Sequence, residues 1–419
     1  MSRTLTQWLA HLERLHPVAI DLGLDRIRIV AERLGLLSGA IARQVVTVAG
    51  TNGKGSTVAM LEAVARAHGL RTASYTSPHL LRYNERLHLE GDEVSDDALI
   101  DAFERIEAAR GDTGLTYFEM GTLAALVIIR DRAPDMAILE VGLGGRLDAT
   151  NIIDADVGIV TSVALDHADF LGTDIEKIGI EKAGILRAGR PAILGSRQMV
   201  ESVAAHAAAL PVSRCLVLGQ DFDWQREENG RWRWQRPAGG AALPSLPDPG
   251  LPLDNAASAL TALETLNLPL EAERLEQAFS DIRLAGRMQR IDRYCLDVAH
   301  NPHAAAYVAN QLAQKPVTRR VALLGMLGDK DAEGVIDALW PVVDDWLPVT
   351  LSGARARHGA TLAEIIQSRG GRVIAVADGP VAGIDWLEQH SQHDDVLVCG
   401  SFFTVAEALA RLERGEGTA

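Results

Sequence analysis

Residues 48 to 57 read VAGTNGKGST, three glycines around one lysine with two hydroxyls behind it. Gly50, Gly53 and Gly55 let the backbone turn tightly, so that its N–H groups can point at an anion at the start of a helix, where the macrodipole adds positive potential. Lys54 would reach the terminal phosphates of a nucleotide, and Ser56 or Thr57 would offer a hydroxyl to Mg²⁺. The strict Walker pattern wants Gly at 48 and Ser or Thr at 55, where this chain has Val48 and Gly55, so the loop is a variant. A glycine-rich turn with a solvated lysine is the plain alternative. The joint presence of strand, loop, lysine and hydroxyls favours phosphate.

Further candidates sit where apolar runs end. MAILEVGLGG places Glu140 at a strand end before an open glycine loop, which suits a Mg²⁺ ligand better than a salt-bridged surface acid. SVALDHADF ends in His167 beside Asp166 and Asp169, either a satisfied polar group or a ligand. Lys182, inside IGIEKAGIL, reads as an ordinary ion-pair partner of Glu181 or another nearby acid. LDVAHNPHAA offers Asp297 to a ribose or an amine and His300 to a phosphate or carboxylate, ahead of a helix opened by Pro302. Trp232, Arg233 and Trp234, around ENG, read as a base-stacking platform or as a two-stranded flap with one packed face; the acidic chain favours the flap.

These residues need strands to carry them. QVVTVAG is short and β-branched, a buried parallel strand ending at Gly50, with a helix expected from about Ser56 that buries Val58, Leu61, Val64 and Ala65 and stops at Gly69. DMAILEVG, DVGIVTSVA and PAILG are further strands, and Ser95 caps a helix that runs to Gly111. The alternation is that of a doubly wound α/β domain. Helices follow from Asp254 to about Asn267 and from about Leu275 to Ile282; the polar RLAGRMQR then reads as a joint, after which YCLDVA, RVALLGML, RVIAVA and DVLVCGS give a second, smaller α/β domain. The expected boundary separates residues 1–285 from 286–419.

With 419 residues, 41 basic against 56 acidic side chains and a net charge of −15, the chain suits two domains and argues against nucleic acid or an anionic membrane as a partner. Cys215, Cys295 and Cys399 are too few and too scattered for a disulfide framework or a metal knuckle. The charged N-terminus lacks the apolar core of a signal peptide, and no run approaches membrane-spanning length. A cytoplasmic monomer is expected.

AGTNGKGST resembles the nucleotide loop of the ATP-dependent Mur-type amide ligases, and DVAHNPHA their C-terminal-domain motif. IDLGLDRI, TSPHLLRYNERL, LTYFEMGTLAAL, EVGLGGRLDATN, IGIEKAGI and CGSFFTVAEAL narrow the resemblance to the bifunctional dihydrofolate synthase/folylpolyglutamate synthase family. The resemblance implies a Mur-ligase-like P-loop domain with a smaller Rossmann-like C-terminal α/β domain. It implies ATP-driven addition of L-glutamate to dihydropteroate and to tetrahydrofolate through an acyl phosphate. Thr51, Asn52, Gly53, Lys54, Gly55 and Ser56 would hold the phosphates, and Asn255, Arg287 and Asp297 match nucleotide-contacting positions. Ser77 and Glu140 would bind one Mg²⁺ and His167 would help bind a second; Lys182 matches a lysine carried as a carbamate, which would replace its ion-pair role. Asp21, Leu22, Gly23 and Leu24, then Thr116, Tyr117, Phe118 and Glu119, then Leu147, Asp148 and Ala149, match the dihydropteroate pocket; Lys54, His167, Lys182 and His300 are the catalytic set. The rivals are a monofunctional folate ligase, a Mur-type cell-wall ligase, which would leave DLGLDRI and TYFE unexplained, and an ATP-hydrolysing switch, which needs no second ligand site.

Overall fold

The computed structural model describes residues 3–16, 21–236, 243–315, 317–353, 355–391, 393 and 395–416. The chain divides into two compact units between Ile282 and Arg283. In the first unit the strands are β1 (Gln44–Ala49), β2 (Thr72–Tyr75), β3 (Leu87–Leu89), β4 (Asp92–Glu93), β5 (Met136–Glu140), β6 (Val157–Val160), β7 (Pro191–Leu194), β8 (Arg214–Val217) and the pair β9 (Asp223–Arg226) and β10 (Trp232–Gln235). Its helices are α1 (Leu5–Leu12), α2 (Asp25–Arg33), α3 (Lys54–Ala67), α4 (Asp96–Arg110), α5 (Tyr117–Arg132), α6 (Ala168–Leu171), α7 (Ile175–Ala183), α8 (Glu201–Ala209), α9 (Leu253–Thr265) and α10 (Ala272–Asp281).

The main sheet runs β4-β3-β2-β5-β1-β6-β7-β8, with β2, β5, β1, β6, β7 and β8 parallel and, at one edge, β3 paired antiparallel with both β2 and β4. β1 is central because its VVTV run is buried on both faces. Successive side chains alternate between faces. Tyr75 and Leu139 therefore enter the core built by α1, α2, α4 and α5, whereas Ser74, on the other face, donates to Glu62 of α3 at 2.8 Å. Every residue from Glu119 to Ile129 of α5 is buried. A helix apolar all round has no polar face to mark its period, which is why its sequence does not read as an amphipathic helix.

α3 begins at Lys54 rather than near Ser56, because Gly53 takes the left-handed φ of 87° and caps it; Gly69, at φ 81°, follows its end. α9 and α10 each start and stop slightly earlier than expected. β9 and β10 form the expected hairpin. Trp232 and Trp234 are buried, with Trp232 edge-on to Phe279 of α10 at 5.4 Å, while Arg233 is exposed. The stacking platform is thus excluded for these two rings, and part of the Gly/Pro loop expected after the hairpin lies outside the described residues.

The second unit holds β11 (Gln289–Ile291), β12 (Tyr294–Leu296), β13 (Arg320–Leu324), β14 (Asp345–Pro348), β15 (Arg372–Val373) and β16 (Asp395–Cys399), in the order β11-β12-β16-β13-β14-β15 with only β11 antiparallel. Its helices are α11 (Pro302–Ala313), α12 (Ala332–Leu339), α13 (Gly359–Ser368), α14 (Pro380–His390) and α15 (Phe402–Glu416). The polar stretch read as a joint therefore contributes β11, and RVIAVA supplies only the two-residue β15. Among the described residues no helix is long and apolar enough to cross a membrane.

Candidate active site

Chain reversals in the sheet order place β1 between β5 and β6, and ligands in open α/β sheets bind beyond strand carboxyl ends at such a point. The glycine loop leaves β1 here. Thr51 N donates to Ser162 O at 2.8 Å, Asn52 N donates to Ser162 Oγ at 3.0 Å, and Thr161 Oγ1 donates to Asn52 O at 2.7 Å. A Cβ on Gly50 would lie 1.9 Å from Thr161 Oγ1, so no other residue fits. Thr161 and Ser162 thus anchor the loop from β6, a role that β-branched and small residues at a strand end do not advertise in sequence.

The loop leads into α3, whose first N–H groups have no partner within the helix. Thr57 Oγ1 donates to Gly53 O at 2.8 Å, which leaves Ser56 as the hydroxyl not turned back on the helix. Lys54 Nζ donates to the carbonyls of Gly50 at 3.1 Å and Thr51 at 3.2 Å, folding over its own loop. Asn255, buried on α9, presses on the far side, where a Cβ on Gly53 would meet its Nδ2 at 2.6 Å.

Glu140 ends β5 and is 5% exposed. Its Oε2 accepts from Ser77 N at 3.4 Å and would be 3.7 Å from a Cβ on Gly55, so Ser77, Glu140 and the first glycine loop converge. His167 adopts a left-handed φ of 52° at the start of α6. Lys182 is 3% exposed, and its amine is lowered to about 7 by burial and by the positive charge of Lys54, against the pull of Asp166 and Asp148. The expected Glu181 pair is not formed: Glu181 Oε1 takes Arg146 Nη2 at 2.7 Å. Adjacent helical residues point about 100° apart, so one faces solvent while the other faces the core.

The three stretches matched to dihydropteroate also gather. Arg26 Nη1 lies 2.7 Å from Asp21 Oδ2 and its Nη2 lies 3.3 Å from Glu119 Oε1, joining the segment at Asp21–Leu24 to the start of α5. Thr116 and Glu119 form a capping box there, with Thr116 N donating to Glu119 Oε2 at 2.7 Å. Phe118 covers the second glycine loop, its Cζ 2.5 Å from where a Cβ on Gly142 would sit. Asp148 is buried, and its carboxylate accepts from the N–H groups of Gly142, Leu143 and Thr150 and from Thr150 Oγ1. Burial raises its pKa, partly offset by these bonds. The side chain of Asp148 is therefore engaged in shaping the loop, and Leu147 and Ala149 flank it. Arg26 was not singled out from sequence, where it is one arginine among many.

In the second unit, Asp297 follows β12 and accepts from Met288 N and Ala299 N, both at 2.9 Å; burial raises its pKa and Arg287 opposes the rise. Arg287 and His300 both approach Phe402, at 5.1 and 6.1 Å from its ring centre. Asn301 caps α11 by accepting from Ala304 N, with Pro302 in the first turn.

A strand–glycine loop–helix beside a strand-end carboxylate, with a second α/β unit carrying its own strand-end turn, is the arrangement of a nucleotide-using enzyme. The Mur ligase middle domain family matches residues 48–194 and the Mur ligase, glutamate ligase domain family matches residues 286–402. The dihydrofolate synthase/folylpolyglutamate synthase of Escherichia coli (strain K12) is 44% identical over 411 residues, 97% of this chain and 94% of that protein. A solved structure of E. coli FolC in complex with DHPP and ADP matches with a TM-score of 0.94 at 42% identity over 99% of both chains. A bifunctional folylpolyglutamate synthase/dihydrofolate synthase with Mn, AMPPNP and L-glutamate bound matches with a TM-score of 0.90 at 45% identity over 98% of both. The chain belongs to the dihydrofolate synthase/folylpolyglutamate synthase family.

Proposed function

We propose that the chain is an ATP-dependent amide ligase that joins L-glutamate to dihydropteroate, giving dihydrofolate, and adds further γ-linked glutamates to tetrahydrofolates. The observation that carries this reading is the convergence of the phosphate loop, the Ser77–Glu140 pair and the three stretches matched to dihydropteroate in one unit. The ligands of the relatives, DHPP and ADP in one and AMPPNP with L-glutamate in another, have the chemistry this reading needs.

A carboxylate resists attack by an amine because it has no leaving group. Transfer of the γ-phosphoryl group of ATP to a carboxylate oxygen makes an acyl phosphate and releases ADP; the glutamate amine then adds to the carbonyl carbon, phosphate leaves, and the amine gives up a proton as the amide forms. In this scheme Lys54 leaves its loop carbonyls for the β- and γ-phosphates, and residues 53–56 present N–H groups to them, while the N–H groups of Thr51 and Asn52 stay on Ser162. Asn255 steadies the loop. Asp21–Leu24, Thr116–Glu119 and Leu147–Ala149 hold the pterin. In the second unit, Arg287 and Asp297 take the nucleotide and His300 a carboxylate or phosphate.

Ser77 and Glu140 fit Mg²⁺, which favours hard oxygen donors with phosphates completing the shell. Mg²⁺ supplies neutralisation of phosphate charge. His167 would serve a second ion. Lys182 as an ammonium does not suit such a site. As a neutral amine, which its pKa of about 7 makes accessible, it can add to CO₂ and release one proton to solvent, leaving an anionic carbamate that does. We read the enzyme as a cytoplasmic monomer.

The test is ADP release by the purified chain with ATP, Mg²⁺ and L-glutamate, comparing dihydropteroate, tetrahydrofolate and no pterin. Glutamate-dependent turnover with both pterins is expected. Turnover with one alone would make the enzyme monofunctional, and release indifferent to pterin and glutamate would overturn the ligase reading.

A further inference from the structure

The hairpin β9–β10 matches none of the stretches that carry the family resemblance, yet one of its tryptophans reaches the helix that supports the nucleotide loop. Trp224 Nε1 donates to Asp254 Oδ1 at 2.6 Å. Arg197, in the turn after β7, donates Nη1 to the same oxygen at 2.8 Å, pairs with Asp223 of the hairpin, and lies 5.3 Å over the Trp224 ring. Asp254 is the second residue of α9, where a carboxylate also suits the helix dipole. The next residue is Asn255, the side chain that presses on Gly53.

We propose that Trp224 and Arg197 are positioning residues for nucleotide binding, holding Asp254, and with it the first turn of α9, in the orientation that seats Asn255 against the glycine loop. This rests on the reading of residues 50–57 as the nucleotide loop. The body of α9 is anchored separately, since Ala256, Ala257, Ala259 and Leu260 are fully buried. Loss of the clamp therefore leaves the helix in place and frees its first turn. The Arg197 and Asp254 side chains are 41% and 42% exposed, so their pairing adds little to global stability. What the shared acceptor supplies is direction: two donors from different elements fix one carboxylate.

The experiment compares Trp224→Phe, which keeps the ring and removes the donor, with Asp254→Ala, Asp254→Asn and Asn255→Ala in the full chain. It reads KM for ATP, KM for L-glutamate, kcat, ADP affinity by calorimetry, and the melting temperature. Trp224→Phe and Asp254→Ala are expected to weaken ATP and ADP binding three- to tenfold, with kcat and the glutamate KM within twofold of the parent. Asp254→Asn, which keeps an acceptor oxygen, should lie closer to the parent than Asp254→Ala. Unchanged ATP binding in Trp224→Phe and Asp254→Ala, with tenfold weaker binding in Asn255→Ala, would overturn the inference alone. Unchanged ATP binding in Asn255→Ala would overturn the loop reading beneath it. A joint loss of kcat, both KM values and thermal stability would make the hairpin structural only, and overturn the inference; if Asp254→Ala does not fold, Trp224→Phe decides.

Discussion

The first unit contains two glycine loops at neighbouring strand ends, and they treat their backbone donors in opposite ways. The loop after β1 is anchored through its carbonyls and its outer N–H groups by Thr161 and Ser162, and it delivers the start of α3 with unpartnered helix N–H groups. The loop after β5 turns its N–H groups inward onto Asp148. One loop leaves the N–H groups at the start of its helix facing outward, as the proposed phosphate role requires; the other spends its N–H groups on its own carboxylate and offers shape, with Phe118 lying on Gly142. Glycine content alone would have made them look alike.

The comparison can be broken most directly at the first loop. Lys54→Ala and Glu140→Ala should each lower kcat by roughly a hundred- to a thousandfold, as expected for loss of a group that meets transition-state charge; near-normal rates in either folded variant would remove that loop from the chemistry. Lys182 tests the charge balance beside it. A lysine whose folded pKa is lowered to about 7 opposes folding in full below pH 7, and the penalty is relieved as pH rises from 7 toward the ordinary value of 10.5. In CO₂-free buffer Lys182→Met should therefore be more stable than the parent at pH 6, by on the order of a few kcal/mol, with the gap closing toward pH 10. Urea midpoints across that range decide it, and a gap independent of pH would mean that the amine is not perturbed by folding.

At the second loop, Asp148→Ala strands three N–H groups and a hydroxyl and should destabilise the fold by about 2–3 kcal/mol while ADP affinity holds. An equal loss of ADP binding would show that the loops are one site, not two. The smallest effects separate the loops by ligand. Gly53→Ala forces a Cβ into Asn255 at a left-handed φ and should raise the ATP KM several-fold; Gly142→Ala displaces Phe118 and should raise the dihydropteroate KM by about as much.

Much of this was legible because local chemistry was consistent. The β-branched run before Gly50, the Ser95 cap and the Gly111 stop each specify their own structure. Glu140 was legible from its place between an apolar run and open glycines. Asn255 and Ser77 were not: their residue types are ordinary at their positions, only the family resemblance marked them, and only the fold brings them to the loop. The Lys182–Glu181 pair failed because sequence adjacency says nothing about which face of a short helix is buried. Arg26, Thr161 and Ser162 act across long separations, which periodicity cannot report.

Lys54 resting on the carbonyls of Gly50 and Thr51 has a consequence for selectivity among anions. An arriving ligand must outcompete two internal hydrogen bonds before it gains the ammonium. Under the proposed nucleotide reading, free orthophosphate would meet the loop at a single point and recover little more than it displaces. A triphosphate would meet the loop and the lysine together, setting several contacts against the same two lost bonds. On the proposed nucleotide reading, the resting lysine would favour polyphosphates over small anions.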